Sequence, residues 1–245
     1  MSNTVAIIGA GLSGMVSAKE AVACGLNPKV FEKQPSMGGV WNPTTGKVWN
    51  NLRTNLSHYT CMFSDFAWKN PSSDFPNQKD VYDYLNAYAT HFDLHKHVQF
   101  NTPVQKVKKM NGRWEVTWLE NDQSHSALFD FVIVCSGILS RASPYKGDKS
   151  KPTIHSKDYK SPDAYKDKRV AVIGNGCSGC EIAVEVSTVA KHVTHVTRNT
   201  TWILPLYILE KPLDLLIYTR EGASKTQKMT REAANIAWHT FLRSV

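Results

Sequence analysis

Long apolar runs are absent from this sequence, and cysteine is scarce. No segment approaches the roughly 18 consecutive apolar residues that span a bilayer. The 5 cysteines among 245 residues are scattered and odd in number, which excludes a small disulfide-stapled scaffold and favours a reducing compartment. The beginning, Met1-Ser2-Asn3-Thr4, has no basic run and indicates no signal peptide. We therefore expect a soluble, cytoplasmic protein without a membrane span.

Acidic residues are outnumbered by basic ones, with 21 Asp and Glu against 29 Lys and Arg, which gives a net charge of +8. Such a charge favours an anionic partner, and the phosphates of a dinucleotide satisfy it as well as a nucleic acid does. We expect no nucleic acid. The lysines concentrate between Lys146 and Arg169, where aspartates interrupt them, as is typical of a solvated connector. The histidines near His95 lack an H-E-x-x-H arrangement, so no metal site is predicted.

A glycine-rich turn follows the first apolar run of the chain. Val5 to Ile8 precede Gly9-Ala10-Gly11-Leu12-Ser13-Gly14, a G-x-G-x-x-G pattern that opens a helical stretch ending near Cys24. The next apolar run ends in Glu32, about two dozen positions after the first glycine. A strand, a tight turn, a helix and an acid at this spacing predict a Rossmann unit.

The same pattern recurs once, later in the chain. Val170 to Ile173 precede Gly174-Asn175-Gly176-Cys177-Ser178-Gly179, and a helix is predicted through Val189. A strand from Val193 to Thr197 then ends in Arg198, at the spacing at which Glu32 follows the first turn, to within one residue. The sequence therefore predicts two dinucleotide sites.

The charge at these two equivalent positions differs, and it indicates which nucleotide each site binds. An acid such as Glu32 accepts hydrogen bonds from ribose hydroxyls and repels a 2′-phosphate, which suits FAD or NAD. A guanidinium such as Arg198 can hold a 2′-phosphate through two hydrogen bonds, which suits NADPH. In both turns, glycine allows close approach of the backbone to the pyrophosphate at a helix N-terminus.

The segment between the two units has a different pattern. Trp114, Val116 and Trp118 alternate with polar residues after the turn signal Asn111-Gly112, which predicts a small antiparallel element. Residues 131–135 are continuously apolar and predict a buried strand. Asn77 is a candidate cap for a helix with apolar residues at helical spacing. Residues 212–245 are predicted to be mostly helical. The predicted fold class is therefore α/β, with two Rossmann-like units and an antiparallel β element between them.

Several longer motifs resemble the flavin-containing monooxygenases, in addition to the two glycine turns. They are Phe31-Glu32-Lys33, Gly38-Gly39-Val40-Trp41, Leu52-Arg53-Thr54-Asn55, Ser64-Asp65-Phe66, Cys135-Ser136-Gly137, His155-Ser156-Lys157-Asp158-Tyr159 and Gly176-Cys177-Ser178-Gly179-Cys180-Glu181-Ile182-Ala183. The segment ending in Tyr159 matches the second half of the family pattern F-x-G-x-x-x-H-x-x-x-[YF], whereas Lys149-Ser150-Lys151 departs from its first half. A tyrosine at position 159 favours this family over the related Baeyer-Villiger enzymes.

The resemblance implies roles for individual residues. The FAD-binding set comprises Gly9, Ala10, Gly11, Leu12, Ser13, Gly14, Glu32, Lys33, Gly39, Val40 and Trp41, with Thr54 and Asn55 beside the flavin ring. The NADPH-binding set comprises Gly174, Gly176, Ser178, Gly179, Cys180, Glu181 and Arg198. Asn55 is the implied catalytic residue, because it supplies a polar contact beside the flavin.

The resemblance also implies a reaction. NADPH reduces FAD, and a flavin hydroperoxide formed with dioxygen transfers one oxygen atom to a soft nitrogen or sulfur nucleophile of a small molecule. The implied organisation is an FAD-binding domain at 1–145, a basic linker at 146–168 and an NADPH-binding domain at 169–245. Family members are substantially longer, which leaves open a non-catalytic nucleotide-binding fragment or one part of a split enzyme. A homo-oligomer also remains open.

A flavin disulfide reductase is an alternative with the same plan of two Rossmann units. That class needs a reactive cysteine pair against the flavin. After the first unit, no cysteine occurs in this sequence before Cys61. The pair Cys177-x-x-Cys180 lies within the second glycine turn and the helix that it opens, where a structural role is the simpler interpretation. The sequence therefore favours a monooxygenase over a disulfide reductase.

Overall fold

The structure is a computed structural model that describes residues 3–138, 142–143, 145–148, 150–199 and 203–218. These residues form two compact units, one made of 3–52 and 77–199 and the other of residues in 53–76 and 203–218. The larger unit contains both glycine turns. The domain boundaries predicted from the sequence divide the chain by its nucleotide-binding motifs, which is a different criterion from the compactness that defines these two units. Those boundaries stay a prediction.

The larger unit alternates strands and helices at both ends and has a run of strands in its middle. Its elements are β1 (Thr4–Ile8), α1 (Leu12–Ala23), β2 (Asn27–Phe31), α2 (Gln78–His91), β3 (Val98–Gln99), β4 (Val104–Met110), β5 (Arg113–Glu120), β6 (Gln123–Phe129), β7 (Phe131–Val134), β8 (Arg169–Ile173), α3 (Cys177–Ser187) and β9 (His192–Val196). This architecture is α/β with two Rossmann-like units and an antiparallel sheet between them in the chain, as the sequence predicted.

A four-stranded parallel sheet with the order β3-β2-β1-β7 forms the first Rossmann-like unit. Its central strand β1 is apolar and buried because it has a strand on each side, and Ile7 pairs with Val30 on one side and with Ile133 on the other. Helix α1 follows the first turn and buries Met15 and Ala18. The predicted succession of strand, turn, helix and strand is therefore confirmed.

Helix α2 begins at the residue that the sequence predicted as its cap. Asn77 accepts a hydrogen bond from the backbone N–H of Asp80, and the Asp80 side chain accepts one from the N–H of Asn77. This reciprocal pair satisfies two donors that a helix N-terminus otherwise leaves free. The apolar face is buried through Leu85 and Tyr88.

The predicted antiparallel element is a three-stranded sheet, β4-β5-β6. Asn111 and Gly112, with φ of 50° and 83°, connect β4 to β5, and two positive φ values are what a tight hairpin turn requires. The inner face of β5 packs on the parallel sheet, where the Trp118 ring lies 4.8 Å from that of Phe31. Trp118 is therefore a core residue.

Strand β7 corrects one prediction. Residues 131–134 form the expected strand, but the expectation that it is buried is wrong, because Val134 is 67% exposed and Phe131 48%. Among the described residues β7 pairs only with β1, so it lies at an edge of the sheet. Continuous apolar sequence predicted the strand and could not predict its place in the sheet order.

The second Rossmann-like unit is smaller. Strands β8 and β9 pair in parallel, and α3 connects them. Helix α3 buries Ile182 and Val186 in a cluster that also contains Trp49 and Tyr159, which come from distant parts of the chain.

The smaller compact unit contains the short hairpin β10 (Tyr207–Ile208) and β11 (Lys211–Pro212), followed by α4 (Asp214–Ile217). The remainder of the predicted C-terminal helical region, 219–245, lies outside the described residues. None of the helices formed by the described residues combines the length and apolarity needed to cross a bilayer.

Candidate functional site

The first glycine turn directly follows β1 and is closed by contacts that only glycine permits. Gly9 has a φ of 104°, and a Cβ there would lie 2.5 Å from the carbonyl oxygen of Cys135. A Cβ on Gly14 would lie 1.8 Å from the carbonyl oxygen of Gly9. Helix α1 therefore starts in direct contact with the turn. Leu12 and Ser13 begin that helix, where the backbone N–H groups of the first turn have no partner within the helix.

Glu32 is fixed against this turn. Its carboxylate accepts hydrogen bonds from the backbone N–H of Ala10 at 2.7 Å and from that of Gln34 at 2.9 Å, and the side chain is buried. The turn is also tied to β2, because the Gly9 N–H donates to the carbonyl of Phe31. The acid at the end of β2 is therefore placed at the glycine turn. Lys33, the next residue, is exposed.

A second glycine pair lies against the first turn. The Gly38 N–H donates to the Ala10 carbonyl at 3.0 Å, and a Cβ on Gly39 would lie 3.0 Å from the Cα of Gly11. Gly39 begins a short 3₁₀ helix that continues through Val40 and Trp41. The structure thus brings Gly9, Ala10, Gly11, Gly14, Glu32 and Gly39 together, and it places Val40 and Trp41 directly after them.

The second glycine turn repeats this geometry at the end of β8. Gly174 has a φ of 123°, and its N–H donates to the carbonyl of Val196 at 3.0 Å. A Cβ on Gly179 would lie 2.4 Å from the carbonyl oxygen of Gly174, so α3 also starts against its turn. Among the described residues the space around Gly176 is open, because no atom beyond its immediate chain neighbours lies within 4 Å of a Cβ built there. Close packing thus accounts for Gly179, whereas it does not account for Gly176.

Arg198 lies two residues beyond β9, on the exposed loop that faces this turn. The loop is tied to the turn, because the Asn175 side chain donates to the Asn199 carbonyl at 2.9 Å. A ring nitrogen of His195 also lies 2.6 Å from the carbonyl oxygen of Gly174. Sequence reasoning missed both Asn175 and His195. Asn175 is a polar residue inside the G-x-G-x-x-G motif, so its position in the sequence could have indicated a role at the turn.

The remaining residues predicted for the second nucleotide lie on α3. Ser178 and Cys180 are in its first turn, and Glu181 follows. The Cys180 thiol lies 3.5 Å from the side-chain oxygen of Asn175, and the five cysteines, all of them among the described residues, are in the reduced state. Cys177 and Cys180 therefore form no disulfide.

Thr54 and Asn55 belong to the smaller compact unit. Thr54 is buried, with its N–H donating to the Pro76 carbonyl at 2.9 Å and its hydroxyl to the Leu56 carbonyl at 2.8 Å. Asn55 is exposed on the loop that follows. The roles of Thr54 and Asn55 stay predictions.

Sequence reasoning also missed a buried carboxylate in the smaller unit. Asp214 accepts hydrogen bonds from the Ser57 N–H at 2.8 Å, from the Ser57 hydroxyl at 2.7 Å and from the Thr60 hydroxyl. Burial raises the pKa of Asp214, but these hydrogen bonds outweigh it and the net pKa is lowered. Burial and the nearby Asp214 raise the pKa of the Cys61 thiol. No motif connects these positions, so the sequence carried no signal for them.

Sequence comparison identifies the family to which the chain belongs. The sequence model of the family described as Flavin-binding monooxygenase-like matches residues 2–241, nearly the whole chain. The chain belongs to this family. The monooxygenase-like family assignment agrees with the resemblance carried by the glycine turns and the motifs between them.

Individual relatives support the assignment. Flavin-containing monooxygenase 1 of Homo sapiens is 37% identical over 240 residues, covering 90% of this chain and 45% of the human protein. Dimethylaniline monooxygenase (N-oxide-forming) 2 of Pan troglodytes is 38% identical, with 90% and 44% covered. Among solved structures, S-allyl-L-cysteine S-oxygenase from Allium sativum has a TM-score of 0.72 and 28% identity, covering 84% of this chain and 54% of that one. The chain thus spans about half the length of these relatives.

A metal centre receives no support within the described ranges. They contain no group of three or more His, Cys, Asp or Glu side chains arranged to hold a metal ion.

Proposed function

We propose that this chain is the FAD- and NADPH-binding part of a flavin-dependent monooxygenase that oxygenates a soft nitrogen or sulfur atom of a small molecule. The observation that carries the proposal is the repeated turn with opposite charges beside it. Glu32 is held against the first turn by a 2.7 Å hydrogen bond to Ala10, and Arg198 follows the strand that is bonded to the second turn.

The first turn fits FAD. Gly9 and Gly14 let the turn close tightly against the N-terminus of a 12-residue helix, whose free N–H groups and partial positive charge can bind a pyrophosphate. The buried carboxylate of Glu32 keeps lone pairs that can accept hydrogen bonds from ribose hydroxyls, because each oxygen accepts more than one. Lys33, Val40 and Trp41 are proposed to complete this site on the strength of the sequence resemblance.

The second turn fits NADPH. The open space beside Gly176 lies at the N-terminus of α3, where a pyrophosphate can approach the backbone N–H groups. Arg198 is exposed and always charged, so it can pair with a 2′-phosphate. NADPH is therefore proposed to lie across Gly174, Gly176 and the first turns of α3, which include Ser178, Gly179, Cys180 and Glu181.

Bound FAD would supply the redox chemistry, accepting hydride from NADPH and activating dioxygen. The chain's own residues bind and orient the two nucleotides. Thr54 and Asn55 are proposed to contact the flavin, with Asn55 as the catalytic polar group, as the resemblance implies. The substrate class is proposed by analogy with two relatives, one named for the formation of N-oxides and the other for the S-oxygenation of S-allyl-L-cysteine.

The experiment measures oxygen consumption driven by NADPH in the presence of FAD, with N,N-dimethylaniline as the amine and S-allyl-L-cysteine as the thioether. We expect oxygen uptake with one of the two substrates and a product heavier by one oxygen atom in the mass spectrum. The Arg198→Glu variant, which repels the 2′-phosphate, tests whether the uptake depends on the second turn. This variant should lose NADPH-driven oxygen uptake. Binding of both nucleotides by the parent protein without flavin reduction would instead support a nucleotide-binding chain that has no turnover of its own.

A further inference from the structure

One carboxylate in the larger unit joins three segments that are far apart in the sequence. Glu185, in the third turn of α3, accepts a hydrogen bond from the Tyr159 hydroxyl at 2.9 Å through one oxygen. Its other oxygen accepts a hydrogen bond from the side-chain amide of Asn51. The three residues come from the helix of the second glycine turn, from the predicted linker and from the segment that leads into Thr54.

The tyrosine in this cluster is held firmly. Tyr159 is 2% exposed, and its ring packs edge-on against Trp49 at 6.3 Å and stacks with Tyr165 at 5.9 Å. Its ring also belongs to the apolar cluster that contains Val186 of α3. A buried phenol needs a hydrogen-bond partner, and Glu185 is the partner that the structure provides.

The linker lies along the segment before Thr54 through further contacts. The Asn50 N–H donates to the Lys160 carbonyl at 2.9 Å. The Lys160 ammonium donates to the carbonyl of Gly46 and, at 3.4 Å, to that of Val48. Segments 46–52 and 156–160 are therefore hydrogen-bonded side by side in one layer, and Glu185 of α3 is hydrogen-bonded to both.

We propose that Glu185 is a positioning residue that fixes the orientation of the NADPH-binding helix on this layer, and thereby the alignment of the two nucleotides for hydride transfer. The inference rests on the proposed function. Glu185 contacts neither nucleotide in the proposed arrangement, because the phosphate-binding end of α3 is at Gly176 and Ser178, more than one helical turn away. Its effect is to hold a helix at a set angle, and small misplacements slow transfer steps strongly.

The test compares Glu185→Ala, Glu185→Gln and Tyr159→Phe with the parent protein under anaerobic conditions, by stopped-flow measurement of flavin reduction against NADPH concentration. We expect Glu185→Ala to lower the limiting reduction rate by about 10- to 100-fold. The Kd for NADPH should change by less than about threefold, because the phosphate-binding turn is untouched. Glu185→Gln keeps one carbonyl acceptor and should recover part of the rate. Val184→Ala, at a position that is 69% exposed on the same helix, is the matched control and should behave as the parent does.

Hydrogen exchange on the nucleotide-free protein gives a second readout. In Glu185→Ala the Asn50 amide, which is bonded to the Lys160 carbonyl, should exchange faster, and so should residues 156–160. Exchange in β8 and β9 should remain as in the parent protein. Tyr159→Phe removes the same hydrogen bond with little change of volume, so it keeps the test informative if Glu185→Ala folds poorly.

The outcomes separate the inference from the proposed function. A parent protein that reduces flavin, with Glu185→Ala and Tyr159→Phe that do so at the parent rate, overturns the positioning role alone. An equal loss of NADPH affinity and of rate would also overturn it, since Glu185 would then act on binding. A parent protein that binds both nucleotides without hydride transfer overturns the proposed function, and the role in transfer falls with it whatever the exchange shows.

Discussion

Gly176 and Gly179 of the second turn differ in their surroundings, and this difference allows a sharp test of NADPH binding at the turn. An alanine at 179 would place its Cβ 2.4 Å from the carbonyl oxygen of Gly174, about 1 Å inside ordinary contact. Helix α3 must move away from the turn to accommodate the methyl group. Overpacking of this kind lowers the free energy of unfolding by about 1–3 kcal/mol. For a domain of this size we expect Tm to fall by roughly 2–12 °C.

The methyl group of an alanine at 176 would have no atom of the described residues, its chain neighbours aside, within 4 Å, and the backbone there, with φ of −83° and ψ of 172°, suits any residue. The free energy of unfolding should change by no more than about 0.5 kcal/mol. Because the methyl group would occupy the approach of the pyrophosphate, we expect NADPH to lose at least one hydrogen bond to a charged group. Such a bond is worth about 1.5–3 kcal/mol, which corresponds to roughly 10- to 100-fold in Kd.

Thermal unfolding without nucleotide and calorimetric titration with NADPH measure the two effects separately. Gly179→Ala should lose stability, and Gly176→Ala should lose NADPH affinity while keeping the Tm of the parent. The reasoning is refuted if Gly176→Ala binds NADPH as tightly as the parent protein, or if the two variants are equally destabilised.

Three further predictions follow from single side chains. Glu32→Ala leaves two N–H groups, of Ala10 and Gln34, without their acceptor, so it should cost about 2–6 kcal/mol in thermal unfolding; Glu32→Gln, which keeps one acceptor, should cost less, and equal costs would contradict this. Arg198→Ala should weaken NADPH about tenfold or more and leave NADH unchanged in parallel titrations, because only the 2′-phosphate distinguishes them; an equal loss for both would exclude the pairing. Burial and the hydrogen bond to Glu185 raise the pKa of Tyr159, so the folded state keeps a proton that the unfolded state loses near pH 10. Stability should therefore fall above about pH 10, and Tyr159→Phe should remove that part of the fall in alkaline unfolding experiments, whereas an unchanged slope would show that other groups cause it.

Local sequence patterns predicted what local physics determines. The two glycine turns, the Asn77 cap and the hairpin at Asn111 and Gly112 are each specified by residues within a few positions, and the structure has all of them. Apolar residues 131–134 likewise predicted β7. Burial of that strand depends on its neighbours in the sheet, which a continuous apolar run does not reveal.

The carboxylates of Glu185 and Asp214 could not be predicted in the same way. Glu185 meets Tyr159 and Asn51, and Asp214 meets Ser57, through contacts between positions 26 to 157 residues apart. Each side chain is ordinary in its local sequence and gains its role only when the chain folds. The sequence indicated Tyr159 as a mark of family membership, whereas the structure adds the partner that it holds.

The central claim is that the two glycine turns bind FAD and NADPH so that NADPH can reduce the flavin. The most direct measurement is the visible absorption spectrum of the purified protein with FAD, before and after addition of NADPH without oxygen. The account predicts a flavin band that remains with the protein after gel filtration and bleaches when NADPH is added. A protein that retains no flavin, or a bound flavin that NADPH does not bleach, would contradict it.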